Sequence, residues 1–318
     1  MIIKTKTASI RDYQKLVAPF DNDIFLSMNF NELNSSKVDR LAPLIFFSDE
    51  DEIVAGIILG EKDGLARSPF SAPYGGITIG KELFVDNLRQ VAEKLLDVCH
   101  EKGLDLLITF PSRVCDDRVV VSNQLFSEQL TILGNNTDIC TNVNHHIPLD
   151  LFPTVDHDIL RRKFRAEEAG VQFRQMETSM ENFQKVYEVI RENHVKLGYP
   201  VRMTLEDYLK TSAIVSVLLF GCFLDDEILS GAICYVTRTS VVQLISWGDR
   251  VELREKLPTM PKLGFDMMSW MKTQRPDLKV IDLGPSASDG FESKGLSHFK
   301  ESLGAVRTLK NTFFIKTV

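Results

Sequence analysis

The chain has 318 residues, of which 44% are hydrophobic and 25% charged, and its formal net charge at pH 7 is −7. This composition is typical of a globular protein and excludes a disordered chain, and the length predicts two domains. The longest apolar run, residues 213–224, is too short to cross a bilayer, and the first residues lack the apolar stretch of a signal peptide, so we expect a cytoplasmic protein without membrane insertion.

The two halves differ in charge. Residues 1–150 carry 14 basic and 22 acidic side chains, whereas residues 151–318 carry 23 and 22, so an anionic ligand is favoured by the second half. A chance clustering of acidic turns explains the same asymmetry. The cysteines are odd in number and form no CxxC pair, which fits reduced structural thiols better than disulfides or a zinc site; they are Cys99, Cys115, Cys140, Cys222 and Cys234.

Strands come first in the first half. Residues 44–47 and 53–59 flank an acidic turn and are predicted to form a hairpin, and a loop rich in proline and glycine follows at 68–76. Apolar residues at helical spacing from Phe84 to Val98 then predict a helix that stops at Gly103. A strand over residues 106–110 follows directly.

The second half repeats this order after a helical segment. A helix is predicted near residues 158–169, a second is opened by a capping-box pattern at Thr178–Glu181 and ends at Gly198, and a short third one opens at Thr204. The remaining predicted elements are strands at 215–224, 228–235 and 241–247, a helix that ends at Pro276, a strand at 280–283 and a closing strand at 312–316.

The chain contains a long-range repeat. Residues 50–58 and 225–233 share an acidic turn followed by a strand with an interior glycine, and residues 106–112 and 280–286 both run from an apolar strand into Pro-Ser. The two offsets, 175 and 174 residues, are too long for a solenoid unit. The repeat predicts a duplicated α+β domain. Because a helix separates two neighbouring strands in each copy, we expect a parallel pair that opens at the strand ends to admit a ligand.

Three stretches resemble the Fem aminoacyltransferases, which have a tandem GCN5-related N-acetyltransferase (GNAT) fold. Residues 295–304, Gly-Leu-Ser-His-Phe-Lys-Glu-Ser-Leu-Gly, are similar to the Fem segment Gly-Leu-x-x-Phe-Lys-x-x-Phe-Gly. Residues 160–171 resemble the basic helix that opens the second Fem domain, and residues 193–200 resemble the Fem helix end Asn-x-x-x-x-Gly-Tyr-Pro.

The resemblance implies two tandem GNAT-like domains, each a mixed sheet with flanking helices. The first would cover residues 1–150 and be completed by the C-terminal strand near 305–318, and the second would cover residues 151–304. It also implies a bacterial acyltransferase that moves an acyl or aminoacyl group. The amine of a small or cell-wall-precursor acceptor would attack directly, without a covalent enzyme intermediate.

The donor stays open between two classes. A CoA-dependent GNAT protein places a glycine-rich loop before its central helix, where backbone amides cradle the pyrophosphate. The equivalent stretch here, residues 255–264, contains Pro258 and Pro261 and only one late glycine. We therefore expect no tightly bound cofactor, and a donor that is either an aminoacyl-tRNA, as the resemblance implies, or an acyl-CoA or other acyl thioester.

Three residues are candidates for catalysis. Lys300 occupies the position of the Fem catalytic-site lysine, so the resemblance implies that it stabilises charge on the transferring carbonyl. His298 is a candidate proton relay, although residues two apart on a helix do not share a face. Asp282, at a strand end, is a candidate base or orienting group for the acceptor amine. A surface lysine and a turn-capping carboxylate are the alternative interpretations of Lys300 and Asp282.

The substrate-binding candidates fall into two groups. Arg161 and Arg165 lie on one face of a predicted helix and suit a phosphate of a nucleotide-linked acceptor or of a tRNA backbone, although a solvated, salt-bridged face is equally favoured. The other candidates offer glycine backbones or rings to a ligand, or are turn residues beside core aromatics; they are Ser71, Tyr74, Gly75, Gly76, Tyr199, Trp247 and Phe299.

The adjacent His145 and His146 point to opposite faces of a strand, and no cysteine or carboxylate completes a ligand spacing, so no metal is expected. The sequence as a whole predicts a Fem-like acyltransferase whose acceptor cleft is lined by the loop at 71–76 and the basic helix. Its partners would be a small-molecule or nucleotide-linked acceptor and, for one of the two donor classes, a tRNA, with no DNA. The alternatives are an acetyl-CoA-dependent N-acetyltransferase and a non-catalytic duplicate that binds a ligand and regulates.

Overall fold

The computed structural model of the protein describes residues 2–17, 19, 23–80, 83–114, 117–134, 136–238 and 240–317, and Cys115 lies outside them. In chain order its elements are β1 (Lys4–Thr7), α1 (Ile10–Val17), α2 (Met28–Leu33), β2 (Arg40–Phe47), β3 (Ile53–Lys62), β4 (Leu65–Ser68), β5 (Ile77–Ile79), α3 (Val85–Glu101), β6 (Asp105–Thr109), α4 (Arg118–Leu133), β7 (Thr137–Pro148), α5 (His157–Glu168), β8 (Gln172–Met176), α6 (Met180–Leu197), α7 (Leu205–Ser212), β9 (Val217–Leu224), β10 (Glu227–Arg238), β11 (Val241–Asp249), α8 (Thr259–Gln274), β12 (Val280–Pro285), β13 (Ala287–Ser288), β14 (Phe291–Glu292), α9 (Lys294–Ser302) and β15 (Val306–Ile315).

The chain divides into two compact units. Unit 1 comprises Met1–Val143, Ser288–Phe291 and Leu309–Val318, and unit 2 comprises Asn144–Ala287 and Glu292–Thr308. Strand β7 is therefore divided: its residues up to Val143 belong to unit 1, and the rest belong to unit 2. Each unit combines a mixed sheet with helices, which is the predicted α+β class.

Unit 1 is built on a sheet with helices on both faces. Strands β1 to β4 pair antiparallel in sequence order, and β6 pairs with β4 in parallel and with β15 antiparallel. The buried face of α3 carries Leu88, Val91, Leu95 and Cys99, whose spacing follows the helical repeat, and packs into the main core of the unit. A smaller cluster on α1 and α2 includes Tyr13.

Unit 2 repeats this arrangement. Strands β8 to β11 pair antiparallel in sequence order, β12 pairs with β11 in parallel, and residues of β7 pair antiparallel with β12. Helix α8 joins the two parallel strands and buries Leu263, Met267 and Met271 in the core. Helix α6 lies on the opposite face of the sheet. Its Val186 packs against Gly231, and a Cβ added to Gly231 would lie 2.9 Å from Cγ1 of Val186.

The duplication that the repeat predicts is confirmed. In both units a hairpin and a third strand precede a helix, which is followed by a strand parallel to the third one. The predicted helices and strands are found, with ends that differ by a few residues. Strands β1, β4, β5 and β8 and helices α1, α2 and α4 were not predicted, and β7 was expected only around His145 and His146, since these elements have short or irregular apolar patterns with little periodicity.

Two local predictions need correction. The N-cap of α6 is Ser179, whose hydroxyl accepts from the backbone N–H of Asn182, and no Thr178–Glu181 capping box forms. The capping box occurs instead at α7, between Thr204 and Asp207. Strand β11 continues to Asp249, two residues beyond the strand predicted at 241–247.

Candidate functional site

The parallel strands of unit 2 separate after a short ladder. The paired residues are Val241 with Val280, Val242 with Ile281, and Gln243 with Asp282, and no further β11–β12 pair occurs in the part of the chain that the structure describes. We call this place the fork; it is formed by residues 243–247 of β11 and 282–285 of β12. Parallel strands that part in this way leave backbone groups facing the gap, where a ligand can hydrogen-bond.

Strand β11 is partly exposed only beside the fork. Residues 245–247 are partly exposed, whereas every other residue of β11 is buried. An irregularity in the pairing with β10 places Ile245 as an extra residue, because Ile233 opposes Ser246 and Cys234 opposes Leu244. Such a bulge re-aims the strand and increases its twist, which accounts for its departure from β12.

The side chain of Gln243 marks the last rung of the ladder. Gln243 is buried, and its Nε2 donates to the backbone oxygen of Asp282 over 3.2 Å. A Cβ added at Gly284 would meet only this amide, at an ordinary contact distance of 3.7 Å. The amide side chain of Gln243 therefore borders the gap on the β11 side, and on the β12 side the space beside Gly284 is not filled by other side chains of the described residues.

Asp282 is buried in the last rung of the β11–β12 ladder. Its Oδ1 accepts from Nδ2 of Asn144 and from the backbone N–H of Gly284, both over 2.8 Å. Gly284 has a φ of 74°, the left-handed region that glycine adopts without strain, and Leu283 is an extra residue in the pairing with β7. The predicted alternative, a carboxylate that caps the next turn, is therefore part of what Asp282 does.

Lys300 holds the end of β12. The side chain is 2% exposed, and its Nζ donates to the backbone oxygens of Gly284 and Pro285 over 2.9 and 3.1 Å. The surface-lysine alternative is wrong, because this ammonium is buried at the fork. Its action on a transferring carbonyl stays a prediction.

The two adjacent histidines of β7 lie on opposite faces, as the alternation of a strand predicts. His146 opposes Asp282 in the ladder and is 7% exposed, and its Nδ1 has no hydrogen-bond partner among the described residues. Burial lowers the pKa of His146, and the charge of Asp282 opposes this shift. The imidazole is therefore neutral at pH 7.

His145 belongs to a different hydrogen-bonded chain. Its Nδ1 lies 3.0 Å from Oγ of Ser286, and its Nε2 lies 3.3 Å from Oε1 of Glu301. Glu301 is also bonded by Arg307. Burial lowers the pKa of His145, while the hydrogen bond to Glu301 acts in the opposite direction. Because His145 and Ser286 are 0% and 2% exposed, this chain joins β7, β12 and α9 internally.

An aromatic pair lies at the outer part of the fork. The ring centroids of Trp247 on β11 and Phe299 on α9 are 5.6 Å apart, and the two ring planes are tilted by 52°. Both side chains are partly exposed. The two predicted binding residues therefore come together, beside the segment of β11 that is open.

The N-terminus of α8 offers few backbone donors. Of the four N–H groups that a helix start normally leaves free, Pro258 and Pro261 have none, and that of Thr259 donates to the backbone oxygen of Leu257 over 2.8 Å. Only the N–H of Met260 is left. The amide cradle that binds a pyrophosphate at a helix start is thus not formed.

The predicted basic helix carries a shallow pocket. The pocket has a volume of about 310 Å³ and runs along one face of α5, where it is lined by His157, Leu160, Arg161, Phe164, Arg165 and Glu168. Arg161 is exposed and paired with Asp158, and Arg165 donates to the backbone oxygen of Glu255 over 3.4 Å, in the loop before α8. The two arginines share this face, as their spacing predicts.

Two further predicted residues lie elsewhere in unit 2. His298 is exposed on α9, whereas Lys300 is buried, so the structure does not bring them together, in keeping with their spacing. Tyr199 is half exposed just after α6, and its ring packs edge-on against that of His194.

The loop of unit 1 is packed rather than open. Tyr74 is 2% exposed, its hydroxyl donates to Asp23, and its ring meets Phe25 edge-on, so the prediction of a stacking surface needs correction in favour of the core-aromatic alternative. Ser71 donates to Asn34 and accepts from Lys37. The remaining pair, Gly75 and Gly76, is buried.

Four residues at the fork were not predicted as functional, namely Gln243, Asn144, His145 and His146. The signal available for three of them was the polar run Asn144-His145-His146 inside a strand, which is unusual for buried positions. No group of three or more potential metal ligands is found among the described residues, and none of the described helices has the length and apolarity to cross a membrane.

No protein-family model and no curated protein matches the chain. Among solved structures, FemX aligns with a TM-score of 0.64 at 13% identity, over 98% of this chain and 97% of that chain. L-PGS from Bacillus licheniformis aligns with a TM-score of 0.61 at 14% identity, over 98% and 93%. A tandem GNAT protein from the clavulanic acid biosynthesis pathway aligns with a TM-score of 0.56 at 11% identity, over 98% and 97%. The protein therefore has the tandem GNAT fold, as its repeat and its Fem-like segments predicted.

Proposed function

We propose that the protein is an acyltransferase that moves an acyl or aminoacyl group to an acceptor at the fork of unit 2. The observation that carries the proposal is the short parallel ladder of β11 and β12, which opens beside buried polar side chains. The exposed edge of residues 245–247 offers backbone groups to an extended acyl chain, much as a missing strand would. Buried polar groups of β12 and β7 border the fork and supply candidates for contact with the acyl carbon.

The fold supports this class of reaction. FemX, L-PGS and a tandem GNAT protein have the same fold, and the segment that contains Phe299 and Lys300 resembles the Fem catalytic segment. Acyl transfer needs little covalent chemistry from the protein, because an activated ester or thioester is attacked directly once it is positioned against a nucleophile. A preformed gap lined by fixed dipoles meets this requirement.

The donor is an aminoacyl-tRNA rather than a CoA thioester. A CoA pyrophosphate needs the amide cradle at the start of α8, and two prolines and one internal bond remove three of its four donors. The phosphates are engaged instead by Arg161 and Arg165 along the α5 pocket. Arg165 touches the loop before α8, so this anion site borders the side from which a GNAT donor would enter.

Lys300 contributes through its position. The ammonium is buried against two carbonyl oxygens at the end of β12, so it fixes that strand end and places a positive charge beside the fork. A fixed charge in a dry site stabilises the oxyanion that forms during acyl transfer better than it would in water.

The decisive experiment is a transfer assay with radiolabelled donors. Purified protein is incubated with mixed aminoacyl-tRNA or with acetyl-CoA, each together with a simple primary amine, a simple alcohol or a UDP-linked muropeptide. We expect label to move from aminoacyl-tRNA to an amine-bearing acceptor and not from acetyl-CoA. Failure of both donors would overturn the assignment as an acyltransferase, and transfer from acetyl-CoA alone would overturn the choice of donor.

A charge-reversal variant tests the anion site separately. The double variant Arg161→Glu/Arg165→Glu should lower the use of aminoacyl-tRNA by at least about 10-fold and weaken its salt dependence, because phosphate contacts are lost. Arg174→Glu is the control, since Arg174 is also exposed and also donates to a backbone oxygen over 3.4 Å, at Asp225. Equal effects of the two changes would show that α5 has no special part in binding the donor.

A further inference from the structure

Three polar residues meet where β7 borders the fork. We call them the β7–β12 cluster: Asn144, His146 and Asp282. They are 0%, 7% and 2% exposed, so all three are at least nine-tenths buried. Asn144 and His146 lie two residues apart on β7 and therefore on the same face, and Asp282 opposes His146 and is bonded by Asn144.

The cluster contains two buried polar atoms that no described residue satisfies. Asn144 donates through Nδ2 to Oδ1 of Asp282, which leaves its Oδ1 without a hydrogen-bond partner, and Nδ1 of His146 also has none. Folded proteins pair nearly all such atoms with protein groups, water or an ion, so each exception calls for a partner. Two exceptions on one face, beside one carboxylate, mark a built site.

The chemistry of the cluster selects its ligand. The unpaired amide oxygen accepts hydrogen bonds, the carboxylate of Asp282 accepts and is negative, and a neutral imidazole with its proton on Nε2 accepts at Nδ1. Three acceptors on one face of the β7–β12 ladder, one of them negatively charged, match the three N–H donors of an ammonium group. A hydroxyl group brings one donor and no charge, so it would leave two of the acceptors unpaired.

We propose that the β7–β12 cluster binds a primary amine of the acyl acceptor, and that Nδ1 of His146 takes up the proton that this amine loses when it attacks. This inference rests on the proposed acyl transfer and adds to it the place where the acceptor amine binds and the group that takes up its proton. The remaining titratable groups that act on His146 are Asp282 across the ladder and His145 beside it on β7.

The transfer exchanges one bond at the acyl carbon for another and moves two protons off the amine nitrogen. An ammonium held by the cluster first gives one proton to solvent, and the free amine nitrogen then forms a bond to the acyl carbon. The bond from that carbon to the oxygen of the ester, or to the sulfur of a thioester, breaks. The nitrogen passes one further proton to Nδ1 of His146, which returns it to the leaving alkoxide or thiolate. No oxidant, reductant or covalent enzyme intermediate is needed.

Histidine ring signals give a direct test that does not depend on turnover. The full chain is labelled with ¹³C and ¹⁵N in histidine and titrated with n-butylammonium, with n-butanol and with tetramethylammonium, which has a charge but no N–H donor. We expect a saturable shift of the His146 ring signals with n-butylammonium only. The ring of His145, which is committed to Ser286 and Glu301, serves as the internal control and should not move.

Variants sharpen the same measurement. Asp282→Asn keeps the shape but removes the charge and should weaken n-butylammonium binding at least 10-fold, and Asn144→Leu, which removes the unpaired oxygen, should act in the same direction. An absent response to n-butylammonium, or an equal response to n-butanol, would overturn the proposal in the unaltered protein, even if a variant does not fold.

Transfer assays separate this inference from the proposed function. If acyl transfer occurs to alcohols and not to amines, the cluster assignment fails and the acyltransferase assignment stands. If n-butylammonium binds but no acyl group is transferred, the acyltransferase assignment fails and the cluster still binds amines. With an active amine acceptor, His146→Gln should lower the rate about 100-fold or more and remove the fall in rate at acidic pH that the His146 titration causes. A variant that keeps this acidic fall would contradict proton uptake by His146.

Discussion

The two units have the same arrangement of strands and helices but differ at the end of their parallel ladder: a loop continues it in unit 1, and the strands part in unit 2. In unit 1, β4 and β6 pair over four residues, and the backbone of Gly75 then takes the next position by donating to the oxygen of Thr109 over 2.8 Å. Gly76 follows in close contact with Asn123, whose side chain binds the neighbouring backbone of Ile77. In unit 2 the amide of Gln243 reaches across to the backbone of Asp282, and among the described residues no β11–β12 pair follows that rung.

This difference shows that two copies of one fold can keep the same architecture while only one copy keeps space for a ligand. The loop that closes the ladder of unit 1 leaves no space, since a Cβ at Gly75 or Gly76 would stand 2.4 or 2.0 Å from neighbouring side-chain atoms. A closed ladder gains packing and hydrogen bonds and loses its ligand gap. The open one keeps buried polar groups that lower stability and supply reactivity.

The largest expected effect comes from disturbing the closed ladder. Gly76→Ala places a Cβ 2.0 Å from Oδ1 of Asn123 at a φ of 118°, so we expect a loss of about 3 kcal/mol or more in the free energy of unfolding. Gly64→Ala is the control, because Gly64 has a φ of 72° but nothing within 4 Å of an added Cβ, and it should cost about 1 kcal/mol. Urea unfolding with hydrogen exchange of α4 measures both, and equal losses would show that unit 1 is not closed by this contact.

The next largest effect is expected at the anchored end of the open ladder. Lys300→Met leaves the carbonyl oxygens of Gly284 and Pro285 without this donor and should cost about 2 kcal/mol. Lys294→Met, on the exposed side of the same helix, should leave the melting temperature unchanged. Calorimetry compares them, and a stable Lys300→Met protein would remove Lys300 from the description of the fork.

A smaller effect is expected where the ladder of unit 2 ends. Gln243→Leu removes the bond from Nε2 to the oxygen of Asp282 and should cost about 1 kcal/mol. Gln175 also donates to a backbone oxygen, that of Met176, but it is exposed, so Gln175→Leu should have almost no effect on urea unfolding. If both variants lost the same small amount of unfolding free energy, the bond from Gln243 to Asp282 would not stabilise the edge of the fork.

The smallest effect concerns acid. Burial lowers the pKa of both His145 and His146 below the usual value of 6.5, so the unfolded chain takes up protons more readily than the folded one. The stability that these groups contribute is complete above pH 6.5 and is lost as the pH falls below it. Hydrogen exchange at several pH values should show this loss in unit 2, and His145→Gln should reduce it. A loss confined to unit 1 would contradict this cause.

Much of the fold follows from local patterns in the sequence. The apolar spacing of α3 and α8 and the acidic turns before β3 and β10 fix the repeated order of elements, and the inserted helices imply parallel pairs. Strand β1, which lies outside the repeat, was missed, because its pairing partner β2 is distant in the chain and its own short pattern has no clear periodicity.

The site was less accessible to prediction for a related reason. The cluster joins Asn144 to Asp282 across 138 residues, and only the register of β7 on β12 brings them together. Strand alternation did separate His145 from His146, but whether each finds a partner depends on packing. Tyr74 illustrates the opposite case, since a ring beside two glycines suggests a binding loop and proves to be covered by Phe25 and Asp23.

The pairing of Trp247 with Phe299 has a practical consequence. The chain has two tryptophans, Trp247 at the fork and Trp270 on α8 beside Phe220, and both belong to unit 2. Intrinsic indole emission therefore reports on that unit alone, and a molecule that enters the gap alters the surroundings of one emitter while the other provides a reference. The protein thus carries its own optical sensor of occupancy, without any attached dye.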